Sequence, residues 1–458
     1  VCLNYMFDLA SKDMKVVHIG FDDTDSQRGR CTTNLAYKIT CKLKNEMGSI
    51  FIDYPLLVRL NPNIPWKTRG NAAVCLRVIS EQPEQIIEYL LDIVRRESDL
   101  SNGANPGVAI FEGEDIPLAL RRFSSRAMYD VIDIKETENL ASQLSIQTFK
   151  FGEGLGIIGA VASIGSLLEC DHTYEAIAYR KEQFCGSPRK IDRSKVLKIN
   201  TDTYPFTFNS YDSIHDRVLV TPHGPDPVFC GIRGEDPFTV TRALEYILPL
   251  ERLDGYMVFR TNQGTNMHLQ NDLSIKKLRT HNSGFIRCFV TKRPTIIRGG
   301  HVFFEVSNFN NNKYQVAVYE PTGLGKLASK LIEGDHIDIG ISVSKGNSNG
   351  SNVLNVEYLS ILNIVDKVTN INPLCNKCRK RMKSEGKNKG FQCKICGEKS
   401  DSKVVVTNSR DLQSGTYLPN LKAHRHLTKP LHRFGMEKTY PYLPKIFKPL
   451  NSKWLKSF

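Results

Sequence analysis

The segment Gly20-Phe21-Asp22-Asp23-Thr24-Asp25-Ser26-Gln27-Arg28-Gly29-Arg30-Cys31-Thr32-Thr33-Asn34 carries the densest set of reactive side chains in this sequence. Three carboxylates fall within four residues, directly after the apolar run Val16-Val17-His18-Ile19. Hard divalent cations take clustered carboxylate oxygens. Phosphates take helix N-termini, backbone amides and arginine. Both on one strand-to-helix turn point to magnesium (Mg2+) and nucleotide chemistry, although an acidic turn that merely ends a strand fits the same spacing. Thr32, Thr33 or Asn34 could cap the helix expected near Leu35. A threonine hydroxyl beside bound ATP could instead accept a phosphoryl group.

Cys375-Asn-Lys-Cys378, fourteen residues, then Cys393-Lys-Ile-Cys396 is a second strong signal. Each pair suits a tight knuckle, and four thiolates fill a tetrahedral shell with no open position, so a zinc ion (Zn2+) here would be structural. The loop Pro65-Trp66-Lys67-Thr68-Arg69-Gly70-Asn71 offers Trp66, Lys67, Arg69 and Asn71 for stacking on a base and gripping phosphate, or Trp66 simply plugs the core edge. In Thr221-Pro222-His223-Gly224-Pro225-Asp226-Pro227 and the following Gly231-Ile-Arg233-Gly234-Glu235, either Asp226 or Glu235 could hold a small cation. The prolines could equally do no more than stiffen a turn. Gly154-Leu-Gly156-Ile-Ile-Gly159 satisfies the dinucleotide fingerprint formally, but its surroundings read as close helix packing. The chain contains no Gly-x-x-x-x-Gly-Lys-Ser/Thr phosphate loop.

The elements around these residues change character along the 458-residue chain, which is long enough for roughly two to four domains. Apolar runs at 16–21, 51–60, 72–79, 108–111 and 173–179 alternate with helical patterns at 35–46, 83–96 and 118–132. That alternation predicts a mixed α/β unit over residues 14–193 with its site at one end of the sheet. Residues 194–272 read as a small α+β unit. Residues 283–365 carry five short strands (285–291, 300–307, 315–319, 336–344, 353–362) with a helix at 324–331, the pattern of an OB-type barrel. The polar stretch 345–352 reads as a loop within it. Residues 1–13 show no pattern.

Charge is unevenly placed. From Cys375 to the C-terminus the net charge is +15, while the rest of the chain sums to −1. Around a zinc site and interleaved with aromatics, such a tail (400–458) suits nucleic acid. The longest apolar stretch is too short for a membrane span, and the scattered cysteines suit a reducing cytoplasm.

Taken in order, Asp22-Asp23-Thr24-Asp25-Ser26 with Cys31-Thr32-Thr33, Arg59-Leu60-Asn61-Pro62-Asn63, Pro65–Asn71, Gly224-Pro225-Asp226-Pro227, Gly231–Glu235, Thr261-Asn262-Gln263-Gly264-Thr265, Tyr319-Glu320-Pro321-Thr322 and the four cysteines resemble the archaeal 2-agmatinylcytidine synthetases. The resemblance covers nearly everything after Met14. It implies a multidomain α+β protein: a kinase-like catalytic domain (14–193), a ferredoxin-like domain (194–272), an OB-fold (283–365), a zinc ribbon (373–399) and a basic tRNA-binding tail (400–458). It implies replacement of the C2 oxygen of the wobble cytidine by agmatine, in the CAU anticodon of isoleucine tRNA. The C2 oxygen would be phosphorylated and ATP would end as AMP and pyrophosphate. The family's acidic motif falls on Asp22, Asp23 and Asp25, and its autophosphorylated threonine on Thr32. Ser26, Arg28, Gly29, Cys31 and Thr33 are then expected near phosphate, and Asp226 and Glu235 near the agmatine guanidinium. A non-enzymatic single-strand-binding protein built on the barrel and ribbon is the other reading. Such a module has no need of the Asp22–Thr33 segment.

Overall fold

The computed structural model describes residues 14–248, 251–274, 278–346, 352–438, 450 and 453–458. The featureless N-terminal stretch and most of the polar loop at 345–352 therefore lie outside the described residues. The first 261 residues supply β1 (Lys15–Asp22), α1 (Thr32–Asn45), β2 (Leu56–Arg59), β3 (Ala72–Ser80), α2 (Pro83–Glu97), β4 (Gly107–Glu112), α3 (Leu118–Ala127), α4 (Ile134–Gln143), β5 (Gln147–Lys150), α5 (Gly156–Gly165), β6 (Thr173–Arg180), α6 (Arg193–Asp202), β7 (Thr207–Phe208), β8 (Val228–Gly234), α7 (Pro237–Ile247) and β9 (Leu253–Thr261). The nine strands run in the order β5-β4-β1-β3-β2-β9-β6-β8-β7 within one eleven-stranded sheet. Ile50–Phe51 adds to β3 and Leu455–Ser457 adds to β9.

The sheet has two halves joined by one parallel pairing, Leu56 and Leu57 of β2 against Arg260 and Thr261 of β9. Elsewhere its neighbours are antiparallel, including β1 between β3 and β4. β6 was grouped with the first unit by sequence, and it sits inside the second half, between β9 and β8.

Strand period explains the layering. On β1, Val17, Ile19 and Phe21 enter a core shared with α1 and α2, while on β3 Ala73 and Cys75 face the opposite core under α3 and α5. Both faces are covered, so these strands read as nearly continuous apolar runs. The even positions of β1 point at α5, and there a helix can approach only over residues without bulk. A Cβ added at Gly159 would lie 1.9 Å from Asp22 Oδ2. The glycine triplet thus serves helix packing. The opposite end of α5 is closed by the buried Arg77, whose guanidinium donates to the Ile164 and Ser166 carbonyls at 2.9 and 3.0 Å. The same guanidinium contacts the His18 ring at 2.6 Å; burial first, then Arg77, holds that ring's pKa down at about 3.

Three local expectations needed revision. The helix expected over 118–132 ends at Ala127, and α4 follows it, capped by the Asp133 carboxylate accepting from the Lys135 amide. α1 starts at Thr32, with Cys31 as N-cap and no side-chain cap bond, so neither Thr33 nor Asn34 caps it. The expected helix at 324–331 is reduced to Gly325–Ala328.

Strands β10 (Ser283–Ile296), β11 (Val302–Ser307), β12 (Lys313–Val318), β13 (His336–Lys345) and β14 (Asn352–Asn363) form a five-stranded barrel, closed by parallel pairing of Gln315–Ala317 with Val353–Asn355. Its interior is aliphatic. Lys367–Ile371 pairs with Val404–Asn408 and leads into the four-cysteine unit. The C-terminal stretch is woven through the molecule. Gly415–Tyr417 extends the barrel sheet along Leu359–Ile361, Trp454 is buried in the main core, and Leu455–Ser457 edges the long sheet. Among the described residues, no helix is long and apolar enough to cross a membrane.

Candidate active site

Where β1 ends, a cleft of about 910 Å³ opens between the two halves of the sheet. Asp22, Asp23, Asp25, Cys31, Thr32 and Thr33 line it together with Trp66, Lys67, Arg69, Asn71 and Asp226. The loop after β2, the turn before β8 and the C-terminal segment around Leu421–Leu427 supply the other walls.

The chain turns sharply at Asp23, whose φ of 58° is left-handed, so the two neighbouring carboxylates diverge. Asp22 Oδ1 accepts from the Asp23 amide at 2.7 Å. Asp23 accepts from the Thr68 hydroxyl and the Asn105 amide, both at 3.2 Å. Burial, then the charges of Asp23 and Asp25, hold the Asp22 carboxyl well above the ordinary carboxylate range. Burial also raises Asp23 against its two hydrogen bonds, and lifts Asp25 to about 6 although Arg69 pulls it down. Burial thus outweighs the local partners at all three carboxyl groups. Arg69 bridges two of the cleft's acids, Nε to Asp25 at 3.4 Å and Nη1 to Asp226 at 3.3 Å.

The N-terminus of α1 points into this acidic end. Its first intrahelical amide bond is Leu35 N–H to the Cys31 carbonyl, and of the amides before it that of Asn34 is directed at the Cys31 sulfur. The Thr32 hydroxyl is buried and accepts from Thr24 Oγ1 at 3.0 Å. The Cys31 thiol is pushed up to about 11 by burial and by Asp25 and Asp226, so it remains a thiol at neutral pH.

The structure does not bring every expected residue to the cleft. Ser26, Arg28 and Gly29 form the turn behind it: Ser26 Oγ accepts from the Arg28 amide at 2.9 Å, and the Gly29 carbonyl accepts from the Ser26 amide at 3.1 Å. Arg28 is exposed. Glu235 is buried elsewhere, its carboxylate held by Arg433 and by Lys438 Nζ at 2.7 Å, and both cations keep its pKa below the ordinary value against burial. Asp226 does face the cleft, but it also accepts from the Arg189 guanidinium at 3.3 Å. Trp66 is 59% exposed, so it does not plug the core.

Other cleft residues were not singled out by sequence. Glu175 of β6 is buried, accepts from Arg233 Nε at 3.0 Å and is bonded by the Gln263 amide. His426 takes a bond from Arg233 Nη2 at 3.1 Å, and Arg59 stands beside it. Lone residues on separate strands and in a far C-terminal loop leave no spacing to read. The resemblance had already flagged Arg59 and Arg233 within motifs, without roles.

Away from the cleft, Cys375, Cys378, Cys393 and Cys396 place their four sulfurs within 4.8 Å of one another. The Cys378 amide points at Cys375 Sγ at 3.3 Å, the local geometry of a knuckle. Three short strands, Lys383–Ser384, Phe391–Gln392 and Lys399–Ser400, hold the second knuckle opposite the first. This is the one convergent set of three or more such ligands among the described residues.

The fold and the cleft define a multidomain α+β protein that joins an acidic, arginine-walled site on a mixed sheet to a five-stranded barrel and a cysteine ribbon. Family models described as the TiaS TCKD domain, the TiaS FLD domain and the TiaS C-terminal zinc ribbon domain match residues 18–153, 154–268 and 372–412. The 2-agmatinylcytidine synthetase TiaS of Cenarchaeum symbiosum is 40% identical over 92% of this chain and 93% of its own length. The same enzyme of Methanosarcina mazei is 39% identical over 91% and 97%. A solved structure of TiaS with isoleucine tRNA and ATP has 34% identity and a TM-score of 0.82, covering 94% of this chain and all of that one. One with tRNA, an ATP analogue and agmatine has 31% identity and a TM-score of 0.80 over the same shares. The chain belongs to the TiaS family.

Proposed function

We propose that this protein uses ATP to join agmatine to C2 of the wobble cytidine in the CAU anticodon of isoleucine tRNA. The observation that carries this reading is the cleft itself, where three aspartates raised by burial, a helix N-terminus and a buried threonine hydroxyl converge. A single-strand-binding module would gain nothing from holding those carboxyls protonation-prone in a cavity.

The chemistry follows from the base. A cytosine C2 carbonyl is urea-like, and its oxygen does not leave unaided. Phosphorylation makes it a leaving group: the C2 oxygen takes the terminal phosphoryl group of ATP as the bond to ADP breaks. A neutral primary amine then attacks C2 and the oxygen departs as inorganic phosphate. AMP as an end product requires separate hydrolysis of the ADP. Such transfers need positioning and charge stabilisation rather than covalent work by the protein. Magnesium is ordinarily held by one or two carboxylates together with phosphate oxygens, which fits aspartates that diverge rather than form a closed cage. Asp22, Asp23 and Asp25 would hold that ion and handle protons, and the first turn of α1 with Cys31 and Thr33 would receive phosphate. Thr32, at the first helical position, would carry a phosphoryl group where the helix dipole favours one.

Asp226 is the carboxylate we assign to the agmatine guanidinium; Glu235 instead anchors the C-terminal segment. Trp66, Lys67 and the exposed face of the 65–71 loop would meet the extruded anticodon base and its phosphates. We take the sheet's first half as the kinase-like unit, the second as the ferredoxin-like unit, and the barrel as an OB-fold that holds tRNA with the zinc ribbon and basic tail. The boundary between the first two lies better between α5 and β6 than at 193, since α5 packs on β1 while β6 pairs within the second half. Cys375, Cys378, Cys393 and Cys396 would hold a structural zinc ion, which would supply much of the folding energy of that small unit. A cytoplasmic site of action follows from a tRNA substrate.

The mechanism is tested with a CAU-anticodon transcript carrying heavy oxygen at C2 of the wobble cytidine. The label should leave the RNA and emerge in inorganic phosphate, whereas label in pyrophosphate would mean pyrophosphoryl transfer. Label retained in the RNA refutes the activation step, and label in AMP would mean adenylyl rather than phosphoryl transfer.

A further inference from the structure

Five arginines line the cleft, and four of them are accounted for. Arg69 bridges Asp25 and Asp226, Arg233 pairs with Glu175, Arg425 with Glu357 at 3.1 Å, and Arg217 contacts the His223 ring. The guanidinium of Arg59 makes no hydrogen bond or ion pair among the described residues, and its Nε is sealed from solvent without an acceptor. The nearest acid, Glu175, is already spent on Arg233 and Gln263. Arg59 is half-buried at the cleft wall, and a guanidinium whose Nε is sealed without an acceptor while its terminal nitrogens find none on the protein gives up part of its hydration without return.

The backbone is built to hold it there. Arg59 ends β2 at the seam between the sheet's halves, and the side chain of Asn262, just beyond β9, grips it twice. The Arg59 amide donates to Asn262 Oδ1 at 2.7 Å, and Asn262 Nδ2 donates to the Arg59 carbonyl at 2.8 Å. The side chain then passes over Gly70, where an added Cβ would stand 2.6 Å from Nη1 and 3.2 Å from the His426 ring. His426 is kept neutral by Arg59 itself, by burial and by Arg233, so it does not add a competing charge. Burial brings the Arg59 pKa down only to about 10, which leaves the group cationic at neutral pH.

We propose that Arg59 is a catalytic residue that receives the phosphoryl group in transit, contacting its non-bridging oxygens as it passes from ATP to the C2 oxygen. The inference rests on the phosphoryl-transfer reading above. A planar guanidinium offers paired donors to a phosphoryl group and needs no acid partner until that anion arrives. Its cost to the resting protein is the signature of a group positioned for a transient charge.

Arg59→Ala and Arg59→Lys test this through four readouts on the full-length protein: thermal midpoint, affinity for ATP with magnesium, affinity for the isoleucine tRNA transcript, and single-turnover agmatine incorporation at saturating substrates. The midpoint should hold or rise, tRNA affinity should stay within about threefold, and ATP affinity should fall severalfold. The incorporation rate should drop roughly 100-fold in the alanine variant and less in the lysine variant, as for loss of one donor to developing charge. A rate within threefold of wild type overturns the proposal. So does a loss matched by lost tRNA affinity, which would make Arg59 a contact to the tRNA backbone. A midpoint lowered by several degrees in both variants would make its role structural. If wild-type protein incorporates no agmatine, the reaction reading falls. The ATP affinities then decide Arg59 alone: a loss in Arg59→Ala supports a phosphate contact, and no loss overturns it.

Discussion

Asp25, which we assign to the catalytic set, shows how a buried carboxyl burdens the fold that holds it. In the unfolded chain an aspartate titrates near 3.9. In the cleft Asp25 titrates near 6, because burial outweighs the help of Arg69. The native state therefore binds more protons than the unfolded state between those values, and stability falls as pH rises through that window, with the full loss present at pH 7. The loss is roughly 2–3 kcal/mol at about 1.36 kcal/mol per pKa unit. Asp25→Asn should thus raise the melting temperature at pH 7.5 and do little at pH 4.5, while agmatine incorporation is lost. Magnesium with ATP should stabilise the wild type more than the variant. A variant destabilised equally at both pH values would show that Asp25 is held for structure. The acidic turn was legible in the sequence because its carboxylates are adjacent. Which neighbours face the cleft was not legible, because Ser26, Arg28 and Gly29 share that turn yet point behind it.

At the scale of elements, α5 and β1 set the position of Asp22. The glycine spacing identified helix packing, but sequence could not say that the packed atom is the Asp22 carboxylate. Gly159→Ala should cost about 1–3 kcal/mol by overpacking, and it should depress incorporation further than that loss of stability explains. Chemical denaturation and single-turnover rates separate the two effects. Unchanged activity in a stable variant would mean that Asp22 tolerates displacement. The strands read over 16–21, 72–79, 108–111 and 173–179 lie within a residue or two of β1, β3, β4 and β6, because those are nearly continuous apolar runs, whereas β5, β7 and β8 carry no such run and were not read. α4 and α6 were missed, because neither presents an apolar stripe of ordinary width: α4 buries only Thr137 and Ala141, and α6 only Val196 and Ile199. The start of α1 was misplaced because Thr32 and Thr33 look like caps and instead lie inside the first turn.

Over the whole molecule, the basic C-terminal fifth has two separable roles. Part of its charge is internal. Arg433 is fully buried, donating to Asp171 at 3.0 and 3.1 Å and to Glu235, and it fixes the segment that carries His426 into the cleft. Net charge alone could not reveal this, since a sequence sum treats a buried arginine and a solvated lysine alike. Arg433→Met strands two buried carboxylates and should cost about 3–5 kcal/mol, read as a lowered melting temperature; a change within a degree would refute the anchoring role. Other charges are outward, such as the exposed Arg379, Lys380, Lys387 and Lys389 of the ribbon. Replacing these four by alanine should weaken tRNA binding and make its salt dependence shallower by about 0.9 per lost phosphate contact, with the melting temperature unchanged. An unaltered slope would place tRNA elsewhere.

The central claim is that the cleft joins agmatine to tRNA at the expense of ATP. Incubating the protein with magnesium, ATP, radiolabelled agmatine and an isoleucine tRNA transcript bearing the CAU anticodon tests it directly. Label should enter the RNA only with ATP present, and should be abolished in Asp23→Ala while that variant binds tRNA within a few-fold of wild type. No ATP-dependent incorporation, or loss of tRNA binding that parallels the loss of incorporation in Asp23→Ala, would contradict the account.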